Sequence, residues 1–187
     1  MGKKICLLRG INVGGKNIIK MSDLKSCFEK MGFEDVETYI QSGNVIFSSK
    51  EANSALTKLI ERELLKKFSY KEPILLLSDK KLKTIVSSSP KDFGNDPDKY
   101  RYDVIYIIKG ITTKTFAKTI ALKEGVDHMS VGKDVLYFSR LKSEASKSYL
   151  SKIISRPEYK LITIRNWNTT IKLNQKLKDN IHAQSSS

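Results

Sequence analysis

The chain is poor in the residues that build covalent or metal-centred sites. Its 187 residues include two cysteines, two histidines and one tryptophan. Cys6 and Cys27 fall on a strand pattern and on the next helix pattern. They read as reduced, largely buried thiols, since a cytosolic disulfide is unusual. Two Cys and two His scattered along the chain give no zinc spacing, so no metal and no other cofactor is expected. His182 lies in a Ser-rich tail, which leaves a Ser–His–Asp triad only His128, at a Gly125-Val-Asp-His turn, to rest on. Long apolar runs are also missing. The longest, Val104 to Ile108, has five residues, against the roughly 20 of a spanning helix. Gly2 is not followed by the Ser/Thr of a myristoylation site, and no apolar stretch of signal length follows Met1. The expected address is the cytoplasm, with no membrane contact.

Acidic residues are scarce: 20 Asp+Glu face 34 Lys+Arg, a formal charge of +14. With 40% hydrophobic and 29% charged residues, the composition is that of a globule, which excludes a disordered chain, a coiled coil and a membrane protein. The excess is uneven. Residues 140–187 carry ten basic and three acidic groups, while 91–139 carry eight and seven. A basic C-terminal quarter suggests a polyanionic partner, RNA or single-stranded nucleic acid first. A solvated, lysine-rich surface is the alternative.

Periodicity supplies the fold. Residues 3–9 read as a strand and Gly10 to Asn17 as a loop. Met21, Leu24, Cys27, Phe28 and Met31 recur at helical spacing up to Gly32. Val36 to Gln41 and Asn44 to Ser48 form a hairpin around Ser42-Gly43. Ala52 to Leu64 is a second amphipathic helix, and Pro73 to Leu77 is a strand. A short helix capped by Ser78 follows. The same order then begins again: strand 103–109, a helix capped by Thr113, strands 126–131 and 134–139 around Gly132-Lys133, helix 143–155, strand 159–164 and a last helix 168–178. The prediction is an α+β chain of two tandem ferredoxin-like (βαββαβ) domains with a C-terminal helix. Their expected bounds are 1–88 and 100–180, joined by a linker at 89–99 and followed by a flexible tail at 181–187. The strand order 4-1-3-2 puts the end of the first strand beside the hairpin tip, and in the second domain puts the ends of its third and fourth strands together.

Three polar segments stand out. In Arg9-Gly10-Ile11-Asn12-Val13-Gly14-Gly15-Lys16-Asn17, glycines free the backbone N–H groups to converge, and Arg9, Asn12 and Lys16 add donors suited to phosphate or carboxylate. Gly10, Gly15 and Lys16 match the Walker spacing. Asn17, however, stands where Ser/Thr must hold magnesium, and the helix starts too late to meet a phosphate. Gln41, Ser42 and Asn44 crowd the hairpin tip with amides and hydroxyls, which also make a good plain turn. Arg165, Asn166, Trp167 and Asn168 offer stacking and base-edge groups, or alternatively a core anchor and a helix cap. Tyr100-Arg101-Tyr102 has the look of a stacking platform, but aromatics suit a strand start and it is read as one. Asp92, Asp96 and Asp98 do not complete a calcium loop.

Leu7-Leu-Arg-Gly-Ile-Asn-Val-Gly-Gly, Thr38-Tyr-Ile-Gln-Ser-Gly-Asn-Val and Thr163-Ile-Arg-Asn-Trp-Asn-Thr, in that order, resemble the bacterial family called domain of unknown function 1697. Ser151-Lys152, ahead of Tyr159, resembles a further pair seen in that family. The resemblance implies two ferredoxin-like domains and a functional surface made by the polar motifs. It assigns no activity and no catalytic residue.

The leading expectation is a binding protein for a phosphate-bearing ligand, RNA or single-stranded nucleic acid. Arg9, Lys16, Lys152 and Arg165 would neutralise phosphates, Gln41, Asn44 and Asn166 would contact base or sugar, and Trp167 would stack. An enzyme on a small phosphorylated or carboxylated metabolite is the second reading. It lacks a general base in the motifs and would have to recruit Asp23, Asp35 or Glu37. The third reading is a structural or protein-interaction module.

Overall fold

The computed structural model describes residues 2–15 and 17–182, with side chains described as far as Lys178. Lys16 and the end of the Ser-rich tail lie outside the described residues. The chain forms two compact units. The first is Met1–Leu82 with Gln175–Ser187, and the second is Lys83–Asn174.

The first unit is a βαββαβ plait. Its strands are β1 (Gly2–Leu7), β2 (Glu34–Tyr39), β3 (Asn44–Ser49) and β4 (Leu75–Ser78), and its helices are α1 (Met21–Lys30) and α2 (Asn53–Phe68). The antiparallel sheet has the order β2-β3-β1-β4, as the connection rules require. Apolar residues spaced three and four apart turn one face of each helix inward: Leu24, Cys27 and Phe28 on α1, and Leu56, Ile60 and Leu64 on α2. Leu24, Phe28, Leu56, Ile60 and Leu64 share one core with Cys6, Val45 and Phe47 of the sheet and with Leu8 just past β1. Phe33 stacks on Phe47 with ring centroids 4.5 Å apart. Both cysteines are free and buried, as expected. α1 ends at Met31, and Gly32, at φ 83°, takes the left-handed turn that favours glycine.

The second unit repeats the order with β5 (Tyr100–Ile107), α4 (Thr113–Ala117), β6 (Asp127–Val131), β7 (Val135–Leu141), α5 (Leu150–Ile154) and β8 (Ile162–Asn166), and its sheet runs β6-β7-β5-β8. Ile105, Leu136 and Phe138 face Phe116, Leu150 and Ile153 of the helix layer. α3 (Asp79–Ser87) crosses from one unit into the other, and so does α6 (Trp167–His182). Ser78 caps α3, accepting from Lys81 N–H at 3.1 Å. From Gln175 onward α6 counts with the first unit, where Lys176 pairs with Glu37 and lies 5.7 Å over the Tyr39 ring. No described helix is long and apolar enough to cross a membrane.

Three local expectations need correction. Of the strand read over 159–164, residues 159–161 belong to a 3₁₀ segment, Pro157–Leu161, and the strand itself is Ile162–Asn166. The helix read over 143–155 is a 3₁₀ segment, Lys142–Lys147, followed by the short α5. The break comes from Ser148, whose buried hydroxyl donates to Asp127 at 2.6 Å, and from the Tyr149 N–H, which donates to the same carboxylate at 2.8 Å. A buried carboxylate collecting these donors outweighs one more helical turn. The cap of α4 is Thr112 rather than Thr113, since Thr112 Oγ1 accepts from Thr115 N–H at 3.1 Å. The Thr113 hydroxyl instead donates to the Gly132 carbonyl at 2.9 Å and ties the helix to the β6–β7 hairpin.

Candidate functional site

In the first unit the fold brings the glycine-rich loop to the β2–β3 hairpin tip. The contact is made by backbone and by Asn12. Leu8 N–H donates to the Gly43 carbonyl at 2.8 Å. The Asn12 amide donates to the carbonyls of Ile19 at 3.0 Å and Gln41 at 2.9 Å, while its oxygen accepts from Ile19 N–H at 2.9 Å. Asn12 therefore closes the loop on itself at Ile19 with two hydrogen bonds and ties it to the tip at Gln41 with one. Gly43 has to be glycine: at φ 73°, a Cβ there would lie 2.8 Å from both Leu8 Cβ and Ile11 Cδ1. Asn44 is buried, and its amide donates to the Tyr39 carbonyl at 2.9 Å and to Ser42 Oγ at 3.0 Å.

Arg9 pairs with Glu72, and its backbone N–H and carbonyl both bond the Tyr70 hydroxyl, at 2.7 and 2.8 Å. Neither partner was singled out from the sequence. Gly10, Gly14, Gly15 and Gln41 are exposed at this end. Of the carboxylates considered as recruitable bases, Asp35 accepts from the Ser48 hydroxyl at 2.8 Å and Glu37 is paired with Lys176.

The C-terminal motif is placed in the framework of the second unit. Arg165 is buried and donates to Thr163 Oγ1 at 2.8 Å and to the Ile164 carbonyl at 2.9 Å. Asn166 donates to the Tyr102 carbonyl and accepts from Asn168 N–H, both at 3.0 Å, so Asn166 caps α6 while Asn168 is exposed. Trp167 is only 9% exposed and meets Phe93 edge-on with centroids 5.1 Å apart. Packed in this way, the indole offers no open face to a base. Ser151 and Lys152 are exposed, with the Lys152 ammonium 3.2 Å from the Tyr149 ring centroid. The structure thus brings together the first two polar motifs but commits much of their chemistry to holding loops.

A cleft lies where no site was expected. On the sheet face opposite α4 and α5, β5 contributes Tyr100 and Tyr102, β7 contributes Tyr137 and Ser139, and β6 contributes His128 and Ser130. The segment 90–96 closes over this face and leaves a cavity of about 390 Å³. Phe93 anchors the segment, with ring centroids 5.0 Å from Tyr102 and 5.3 Å from Tyr137. Asp96 N–H donates to the Tyr102 hydroxyl at 3.3 Å, and Tyr137 donates to the Ile85 carbonyl at 2.6 Å. Burial pushes the Tyr137 phenol up to about 12. Tyr100, partly exposed, carries the Lys99 ammonium 5.4 Å from its ring centroid and meets His128 edge-on at 6.1 Å. Lys91, Asp92 and Asp96 stand on the loop side. The sequence signal was the Tyr100-Arg101-Tyr102 alternation, which places both rings on one face of the strand. Nothing local announced that a loop would roof it. Among the described residues no group of His, Cys, Asp and Glu could hold a metal ion.

Comparison with known proteins agrees with this architecture. The structure of a conserved bacterial protein, SP0830 from Streptococcus pneumoniae, superposes with a TM-score of 0.83 at 28% identity, covering 94% of this chain and 98% of that one. No curated protein matches the chain. The family described as a protein of unknown function (DUF1697) matches residues 1–137, which takes in both N-terminal motifs and the cleft tyrosines, with Thr163–Thr169 beyond its end. A match over that much of the sequence makes the assignment plain: the chain belongs to the DUF1697 family of bacterial proteins.

Proposed function

We propose that the protein binds a nucleobase-bearing ligand, RNA or single-stranded nucleic acid, with one base seated in the aromatic cleft of the second unit. The observation that carries this reading is the cleft itself. Aromatic rings on the first and third strands of a ferredoxin-like sheet are the arrangement on which single-stranded RNA modules stack bases. Tyr100 and Phe93 supply partly exposed ring surface, and Ser130, Ser139 and Asn95 supply hydroxyl and amide groups for a base edge. A volume of about 390 Å³ suits one ring system with its sugar, within the usual range for small-ligand sites. Lys91 and Lys99 would meet a flanking phosphate.

The test uses the single indole. Trp167 touches Phe93, so a base entering the cleft changes the surroundings of the indole without stacking on it. Titration of mixed-sequence single-stranded RNA should give a saturable change in Trp167 emission. Tyr100→Ala should weaken binding by about 1–3 kcal/mol, the worth of one base stack. RNA that binds with equal affinity to wild type and Tyr100→Ala would place the ligand elsewhere and sink this reading.

His128 favours a second reading, in which a ring-bearing, phosphorylated metabolite is transformed rather than held. It is an exposed imidazole lining the cleft and stands opposite Ser139 in register, which is the inventory of a general base beside a hydroxyl. Turnover of a nucleotide that is lost in His128→Gln while binding persists would select this reading.

A further inference from the structure

We propose that the groove between α1 and α2 of the first unit docks an acidic amphipathic helix of a protein partner. The groove encloses about 580 Å³. Its floor is apolar, built by Cys27 of α1, Met31 just past the end of α1, and Leu59 of α2. Its walls are cationic: Lys30 on one side, and Arg62, Lys66 and Lys67 on the other, with Glu63 the single acid among the lining residues.

These charges differ in how far they are committed. Arg62 donates to Glu63 at 3.0 Å, and Lys67 donates to the Asp23 carbonyl at 3.1 Å. Lys30 and Lys66 are exposed and stand on opposite walls, one on each helix. Each carries an aliphatic stem that lengthens the apolar wall while its ammonium reaches solvent.

An occupant must therefore satisfy two requirements together. It must present apolar side chains to Cys27, Met31 and Leu59, and negative charge to cations on both sides. A nucleic acid backbone meets only the second requirement. A helix with Leu-type anchors at i, i+3, i+4 and i+7, flanked by Glu or Asp, meets both, and a groove between two helices is a standard seat for it. Met31 adds an unbranched, adaptable contact of the kind used by helix-binding surfaces. Charge complementarity fixes the sign of the partner and speeds its encounter. The groove shares no residue with the cleft of the second unit, so this inference and the nucleobase reading stand or fall separately.

The experiment uses the full chain and a fluorescein-labelled peptide of about 18 residues, five helical turns. One face of the peptide carries Leu at helical spacing and the others carry Glu and Gln. Anisotropy should report saturable binding. The Lys30→Glu/Lys66→Glu variant should weaken it by at least tenfold, in the range of truncated interfacial charge pairs. Lys25→Glu/Lys58→Glu makes the same charge change on the same two helices outside the groove and should leave most of the affinity in place. Thermal melts confirm that both variants fold, as exposed substitutions should. A peptide of identical composition, scrambled to destroy the apolar face, should bind at least tenfold more weakly. Three results overturn the proposal: no binding of the amphipathic peptide, equal binding of the scrambled one, or equal loss in the two charge-reversal variants. Mixed-sequence RNA that competes fully with the peptide for the wild-type groove would assign the site to nucleic acid instead.

Discussion

Trp167 and Gly94 are fitted so closely that the missing side chain of the glycine is part of the contact: a Cβ at position 94 would lie 2.4 Å from the indole Nε1 and 2.6 Å from Cδ1. The indole is rigid and 9% exposed, so it has little room to retreat. Gly94 also sits at φ 96°, where an L side chain is strained. Gly94→Ala should therefore destabilise the second unit by about 2 kcal/mol or more, from overpacking and strain together. It should also lift the 90–96 roof off the cleft. Urea unfolding followed by Trp167 emission checks both effects: the midpoint falls, and the native emission of the variant moves to the red. A variant with wild-type midpoint and spectrum would mean the loop is not held as described.

Asn12 offers a test of whether the first polar motif is framework. Three hydrogen bonds run from its side chain to Ile19 and Gln41, and its φ of 54° is one that Asn tolerates better than most residues. Asn12→Gly keeps the backbone conformation and removes the bonds. The expected cost is about 1–3 kcal/mol, that of leaving partly buried groups unpaired. The specific sign is faster hydrogen exchange at the Ile19 amide, which loses its acceptor, with the Leu8 amide bonded to Gly43 as the unaffected control. Unchanged exchange at Ile19 would show that the clasp contributes nothing to holding the loop.

The β-α-β-β-α-β order was legible twice because each element buries one face, and burial writes its period into the chain. Leu56, Ile60 and Leu64 announce α2 with no help from the rest of the molecule. Contacts between residues distant in sequence leave no such trace. Arg9 with its glycine neighbours reads as an anion-binding loop, and nothing local shows that its side chain pairs with Glu72 and its backbone with Tyr70, from the far end of the unit. Residues 143–155 read as one helix until Asp127, on a strand some twenty residues away, takes the Ser148 hydroxyl. The cleft is the clearest case. Tyr100 and Tyr102 were visible as rings on one strand face, but the site exists only because Phe93, in a segment that reads as a linker, folds back onto Tyr102 and Tyr137.

Asp103 predicts a pH dependence. It is nearly buried, and one of its oxygens makes no hydrogen bond although Arg101 and Arg140 stand at 3.4 and 4.0 Å. Burial pushes its carboxyl above the usual range, against the opposing pull of the two arginines. The native state therefore holds this proton more tightly than the unfolded chain. The stability gained is complete below the unfolded value, near 3.9, and is lost as pH rises through the raised native value. Asp103→Asn removes that titration. Compared by urea midpoints at about pH 4, close to the unfolded value, and at about pH 7, the difference between variant and wild type should shift in favour of the variant as pH rises. A constant difference would mean that Asp103 ionises as readily in the folded protein as in the unfolded chain.

The charges around the cleft make the nucleobase reading separable from a general affinity for polyanions. Lys91 and Asp92 stand on its loop side, and Lys99 lies over Tyr100 while its own N–H donates to the Asp96 carboxylate at 3.1 Å. Two cations against two carboxylates leave the rim nearly neutral, although the whole chain carries +14. A neutral nucleoside held by stacking and base-edge contacts releases no counterions, so its affinity should stay flat between about 50 and 200 mM salt. A single-stranded RNA that also meets cations beyond the cleft should lose affinity steeply over the same range, with a slope set by the number of phosphates neutralised. Trp167 emission reads both titrations. Tyr100→Ala should remove the salt-independent part and leave the slope. If RNA binds with the expected slope while no nucleoside binds at any salt, the protein recognises charge alone, and the aromatic cleft takes no part in it.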